Sequence, residues 1–220
     1  MKRSRSNGFT LLELLLVIGI LTLLLGALIP AVTSLSKSSG RKAGVKLLVG
    51  ILEQARATAI KDGRSTYVAF AAQPTSGTTS LTDQTLIDRY FYHAFAVFED
   101  DPAGTAKVQI TSWKILPVGI SLRTEISFDN ASNGAWGTTD FVFTPAPSGS
   151  QTQQFPFIKF NANGEVVAPP ARAGSTSTSA IPLRLFEGYV TDKIEKPTSK
   201  ANMDETINLA RLTGRAEYTP

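Results

Sequence analysis

Residues Gly8 to Val32 read "GFTLLELLLVIGILTLLLGALIPAV". One carboxylate, Glu13, stands just inside the run, and from Leu14 to Val32 the chain carries no charge. About 20 apolar residues are enough for a helix to cross a bilayer, so this stretch predicts one long apolar helix. An acid near the centre of such a helix costs roughly 2.5–3.5 kcal/mol on insertion scales, and acids in such places have partners. No Lys, Arg or His lies between Gly8 and Ser36. A partner for Glu13 must therefore come from a chain terminus or from another chain.

The flanks orient the segment. Lys2, Arg3 and Arg5 precede it, and the next basic residue is Lys37. Positive charge stays on the cytoplasmic side, which sends the larger C-terminal part across the membrane. A secretory signal peptide would have a shorter apolar core and a small-residue cleavage site, and "LGALIPAV" matches that poorly. An ordinary signal anchor explains the length and gives Glu13 no reason.

The 220 residues suit one membrane segment and one modest globular domain. Net charge is +4, but without the three leader cations the count is 19 basic against 18 acidic residues, so charge gives little argument for nucleic acid. There is no cysteine, hence neither disulfide nor thiol chemistry, and His93 is the single histidine. A histidine-based triad or metal site is thereby disfavoured.

The same residues resemble the N-terminus of the type IV prepilin and type II secretion pseudopilin superfamily. That pattern is a basic leader ending in Gly, then Phe, Thr, Leu, an apolar residue and Glu, then an apolar helix with a later Pro. Gly8 falls at the last leader position, Phe9 at the first mature one, Glu13 at the fifth and Pro30 at the twenty-second. The resemblance implies that prepilin peptidase cuts between Gly8 and Phe9 and methylates the new Phe9 amine. It also implies insertion in the inner membrane, cytoplasmic N-terminus first, with the β domain periplasmic. Assembly with other pseudopilins or pilins, on a secretion or pilus assembly platform, would follow.

Cleavage on the cytoplasmic side creates an ammonium beside an apolar helix. In a core of packed helices the Glu13 carboxylate can neutralise such a charge on a neighbouring subunit. Desolvation offsets much of that attraction. The expected effect is on register, since a subunit out of step leaves two unpaired charges; the alternative is that Glu13 snorkels toward the headgroups near the helix end. Pro30 removes a helical hydrogen bond and predicts a kink.

Beyond Pro30, Val45, Leu48, Leu52, Ala55 and Ala59 recur at helical spacing, and Asp62-Gly63 reads as a stop. "SKSSGRKAG" predicts that the helix weakens or bends around Ser38 to Gly44. The rest reads as strands: Ser65–Ala71, Arg89–Glu99, Lys107–Ile115, Gly119–Phe128, Thr139–Thr144, a hairpin turning at Asn161–Gly164, Pro182–Val190 and Ile207–Tyr218. "AQPTSGTTSLTDQT", "DNASNGAWGTT", "PAPSGSQTQQ" and "APPARAGSTSTSAIP" read as loops. Strands after one helix, without alternation, predict an α+β fold: a long helix packed on an antiparallel β-sheet domain. The expected divisions are a leader (1–8), a membrane or filament-core helix (9–32), an amphipathic helix (33–63) and a β-rich domain (64–220).

"ARATAIKDGRSTYVAF", "WKILPVGISL", "FIKFNANGEV" and "LTGRAEY" are similar to the GspH/FimT-like minor pseudopilins, whose fold is a long helix on two β-sheets. Relatives of that group bind DNA through basic C-terminal residues, which implies Arg211 and Arg215 as DNA contacts in an alternative reading. A third reading is an exported soluble binding domain. The chain has no G-x-S-x-G, phosphate loop or metal-ligand cluster, so it reads as no enzyme, with no metal and no cofactor. The trio Glu99, Asp100 and Asp101 reads as a polar turn, with calcium binding as its alternative.

Overall fold

A computed structural model describes residues 11–73, 81, 83–124, 136, 138–145, 151–169, 180–191, 194–198 and 204–219, with the backbone alone at 25–38. The chain falls into two units, Met1–Ser39 and Gly40–Pro220.

One helix, α1 (Leu11–Asp62), belongs to both. Glu13 lies in its first turn and Lys61 in its last, each the sign favoured by the helix dipole. Gly63, at φ +66°, ends it in the left-handed conformation that glycine adopts without steric cost. In the second unit α1 buries Val45, Leu48, Ile51, Leu52, Ala55 and Ala59, the face expected from spacing with Ile51 added. The expected weakening around Ser38 to Gly44 is not seen: the helix runs on through these residues. Gly40 and Gly44, one turn apart, bring the helix backbone close to the sheet. A Cβ at Gly44 would lie 3.4 Å from Ile120 Cγ2 and 3.5 Å from Leu116 Cδ2. These glycines serve packing rather than a break.

The strands are β1 (Thr66–Phe70), β2 (Ala94–Asp100), β3 (Lys107–Gln109), β4 (Lys114–Ile115), β5 (Ile120–Leu122), β6 (Thr138–Phe143), β7 (Gln151–Phe160), β8 (Val166–Ala168), β9 (Ile181–Thr191), β10 (Ile194–Pro197), β11 (Glu205–Leu209) and β12 (Ala216–Thr219). They form two antiparallel sheets. The first has the order β3-β2-β1-β7-β6, with β4 on β2 and β8 on β7; the second has β10-β9-β11-β12, with β5 on β9. This is the α+β architecture, helix plus two sheets, expected from the sequence.

β1 is buried at all five positions because it lies between β2 and β7. β7 pairs with β1 through its C-terminal half and with β6 through its N-terminal half. The β6–β7 hairpin thereby brings Phe141 to Phe98 with ring centroids 4.8 Å apart. Trp113, Phe143 and Phe155 join edge-to-face, with centroids 5.2–5.7 Å apart. Such pairs add about 0.5–1.5 kcal/mol each beyond burial.

The strand readings at Ser65–Ala71, Thr139–Thr144 and Pro182–Val190 match strands, and the Asn161–Gly164 turn is in place. There Asn161 Oδ1 accepts the Glu165 amide at 2.9 Å, and Gly164 has φ +79°. Four readings differ. Arg89 and Tyr90 belong to a short helix, α2 (Gln84–Tyr90), capped by Asp83, whose Oδ1 accepts the Thr85 amide at 2.9 Å. The run Lys107–Ile115 divides into β3 and β4, because the segment between turns Trp113 into the core. Ile207–Tyr218 folds back on itself as β11 and β12, with Gly214 at φ +62° in the turn. β5 ends at Leu122, and the remainder of Gly119–Phe128 from residue 125 lies outside the described residues. β10 was not expected, and the end of the "PAPSGSQTQQ" loop reading is strand, because Gln151–Gln154 open β7 by pairing with β6.

Candidate functional site

The first candidate is the start of α1. Residues 11–24 are exposed all round, including Leu11 (79%), Leu12 (76%) and Leu23 (75%). A helix that is apolar on every face is built to be covered by lipid or by other helices. Glu13 is exposed within this run. Gly8 and Phe9 lie outside the described residues, as does the Pro30 side chain; the helical backbone continues through residue 30. Among the described residues no helix is long and apolar enough to cross a membrane. The apolar run itself extends into residues 25–32, of which only the backbone is described.

The second candidate is the seam between the sheets. Tyr92, at φ +61°, donates its amide to Ala71 on one side (2.6 Å) and accepts from Leu122 of β5 on the other (2.9 Å). His93 follows. Its Nδ1 lies 2.7 Å from the Phe91 carbonyl, which can only accept, so Nδ1 carries the proton. Its Nε2 lies 2.9 Å from Ser121 Oγ, and that hydroxyl is 2.7 Å from the Gly188 carbonyl. The neutral ring and the serine thus have two protons for three links. Burial pushes the His93 pKa below its ordinary 6.5, opposed by the bond to Phe91. Ser121 is fully buried, so the pair is no nucleophile for a substrate. A cleft of about 340 Å3 opens beside His93, lined by Gln84 and Asp88 of α2 and by Tyr189, Val190 and Thr191 of β9.

The acidic trio separates. Glu99 is buried against Arg64, with Oε2 3.1 Å from Nη2. Asp100 accepts the Tyr67 hydroxyl at 3.1 Å; burial first, then this carboxylate, pushes the phenol's pKa up. Asp101 accepts the Ala106 and Thr105 amides at 3.0 and 2.6 Å, which hold its carboxyl below the usual range. Each carboxylate is committed locally, and among the described residues no group of three or more His, Cys, Asp or Glu could hold a metal.

Arg211 and Arg215 do not form a pair. Arg211 is 8% exposed and its Nη1 donates to the Pro169 carbonyl; burial lowers its pKa. Arg215 is exposed. The Arg211 guanidinium is turned inward onto a carbonyl while Arg215 faces out, so the two do not present one basic face.

What the sequence did not reveal is the cluster around Arg123. Its Nε and Nη2 both donate to Asp204 at 2.8 Å, and Nη1 donates to Glu195 at 2.6 Å. These residues are 81 and 72 positions away, beyond any local signal.

The comparisons bear on the N-terminus. Residues 3–29 match the family model "Prokaryotic N-terminal methylation motif". No curated protein matches significantly. Among solved structures, the type IV minor pilin FimU of Pseudomonas aeruginosa is 10% identical, with a TM-score of 0.42, covering 84% of this chain and 92% of that one. The minor pseudopilin EpsH of the Vibrio cholerae Type 2 Secretion System is 11% identical, with a TM-score of 0.40, covering 81% and 95%. The chain carries the prokaryotic N-terminal methylation motif, and by it resembles the type IV pilin and pseudopilin superfamily.

Proposed function

We propose that the chain is a minor pilin-like or pseudopilin-like structural subunit of a type IV pilus or type II secretion system. Prepilin peptidase cuts it between Gly8 and Phe9 and methylates the Phe9 amine. The apolar part of α1 holds it in the inner membrane and then packs with the helices of other subunits, while the β domain stands outside. The observation that carries this reading is the methylation motif at residues 3–29. The exposed apolar girdle of residues 11–24 supports it, because an isolated chain leaves that surface uncovered. Glu13 sets register by meeting the ammonium of a neighbouring copy.

Mass spectrometry of the mature chain is the test. A start at N-methyl-Phe9 is expected, and a start beyond Val32 would overturn the reading. Glu13→Leu should be cleaved and yet fail to assemble; its normal incorporation would refute the register role.

A further inference from the structure

The cleft beside His93 has a lining of one electrical sign. At about 340 Å3 it stands at the lower end of ligand pockets, roughly 300–1,000 Å3, with room for one small group rather than a folded segment. α2 supplies one wall. Its Leu86, Ile87 and Tyr90 pack against the core, while Gln84 and Asp88, one turn apart, stand exposed at the cleft. Gln84 Nε2 donates to Asp88 Oδ1 at 2.8 Å. That bond fixes the carboxylate and leaves Asp88 Oδ2 and Gln84 Oε1 as open acceptors. Asp88 forms no ion pair among the described residues.

β9 supplies the other wall, with Val190 apolar and Tyr189 and Thr191 bringing hydroxyls. His93 completes the lining; its Nε2 is engaged with Ser121, and burial keeps the ring neutral at neutral pH. No Lys or Arg lines the cleft. An anion would meet the Asp88 carboxylate with nothing to offset it. A cation would meet that carboxylate, an amide oxygen and hydroxyl oxygens. We propose that the cleft is a socket for one organic cation, the guanidinium or ammonium end of a partner protein's side chain. Asp88 supplies the charge, Gln84 holds it in place, and Tyr189 and Val190 flank the aliphatic stem. A guanidinium, with five N–H donors in a plane, suits this set of acceptors best. Lys196, the cross-strand partner of Tyr189, stands outside the lining with Nζ 5.8 Å from that ring's centroid. Its like charge weakens the socket. The inference goes beyond the assembly reading and does not depend on it.

His93 is the single histidine, so its imidazole NMR signals report the cleft without ambiguity. The full chain, in neutral detergent micelles, is titrated with N-acetylarginine amide, with its uncharged isostere N-acetylcitrulline amide, and with methylguanidinium. The expected result is a saturable shift with the arginine probe, weaker binding of methylguanidinium, which lacks the stem, and no shift with citrulline. Asp88→Asn keeps an oxygen for Gln84 and should weaken the arginine probe about threefold, whereas Lys196→Gln should tighten it. Both residues are exposed, so neither substitution threatens the fold. Equal shifts with arginine and citrulline, or an unchanged Kd in both variants, overturn the cation. Methylguanidinium binding as tightly as the arginine probe overturns the side chain as its source. Shifts that grow without saturating mean that the cleft holds water alone, and overturn the socket. Each of these outcomes leaves the mass of the mature N-terminus, and the assembly reading with it, untouched.

Discussion

Arg56 of α1 donates from Nε to the Thr213 carbonyl at 2.6 Å, across 157 positions of sequence. The bond fastens the helix beneath two hairpin turns at once. A Cβ at Gly164 would lie 2.7 Å from Ile60 Cδ1 and 3.3 Å from Arg56 Cγ. One at Gly214 would lie 2.0 Å from the Gly164 carbonyl oxygen and 3.0 Å from Arg56 Cδ. The turns and the helix form a stack with no room for side chains at the two glycines.

Gly214→Ala should therefore be among the most damaging small substitutions, costing about 3 kcal/mol from positive φ combined with a backbone clash. Gly63→Ala is the control. It has the same kind of backbone, at φ +66°, but nothing within 4 Å of the new Cβ, so only about 1 kcal/mol is expected. Denaturant unfolding of the two variants in detergent should separate them clearly. Equal losses would show that conformation alone, and not the stack, sets the cost.

Gly44 behaves in the opposite way. An added methyl meets Ile120, Leu116 and Leu185 at 3.4–3.7 Å, ordinary contact, and alanine gains up to about 1 kcal/mol of helix propensity. Gly44→Ala should leave stability unchanged or slightly raised, whereas Gly44→Leu should lose about 1–3 kcal/mol by lifting α1 from the sheet. Melting temperatures of the pair test this.

Arg123 carries two carboxylates, and its Cζ lies 4.9 Å from the Phe186 ring centroid. Arg123→Met keeps the stem and leaves Glu195 and Asp204 facing one another, so a loss of about 2 kcal/mol is expected at neutral pH. Arg123→Lys, which restores a positive charge, should recover part of the loss. No recovery would mean that packing on Phe186, not charge, is the contribution.

His93 gives a pH dependence with a definite sign. Its folded pKa lies below 6.5, so the unfolded chain takes up more protons as the pH drops past 6.5. Stability should fall through that window and level off once the folded ring also protonates. As the chain has one histidine, His93→Gln should remove this component alone. The 15N shifts of the single imidazole should report a proton on Nδ1 at neutral pH, and an Nε2–H tautomer would contradict the bond from Nδ1 to the Phe91 carbonyl.

The features legible in the sequence were those set by local rules. The buried stripe of α1 follows from spacing, and the Asn161–Gly164 turn from asparagine and glycine chemistry. The apolar start of α1, with Glu13 inside it, was equally plain. What escaped depended on distant partners. The pattern from Arg89 to Glu99 alternates as a strand would, but the Asp83 cap starts a helix, and Tyr92 at φ +61° breaks the run at the seam. The glycines near residue 40 looked like helix breakers because Ile120, which they admit, is 80 residues away from Gly40. Arg211 looked like a surface cation because nothing nearby in sequence discloses its acceptor, Pro169.

Glu53 of α1 accepts the amide of Ala216 at 3.2 Å, on the side of β12 that faces no other strand among the described residues. The helix that begins with the apolar run is thus also the guard on an otherwise adhesive border. Any force that drew the rod out of its seat would bare a hydrogen-bonding margin ready to stick to a neighbour. In this molecule one helix carries both the apolar run and the cover over that margin.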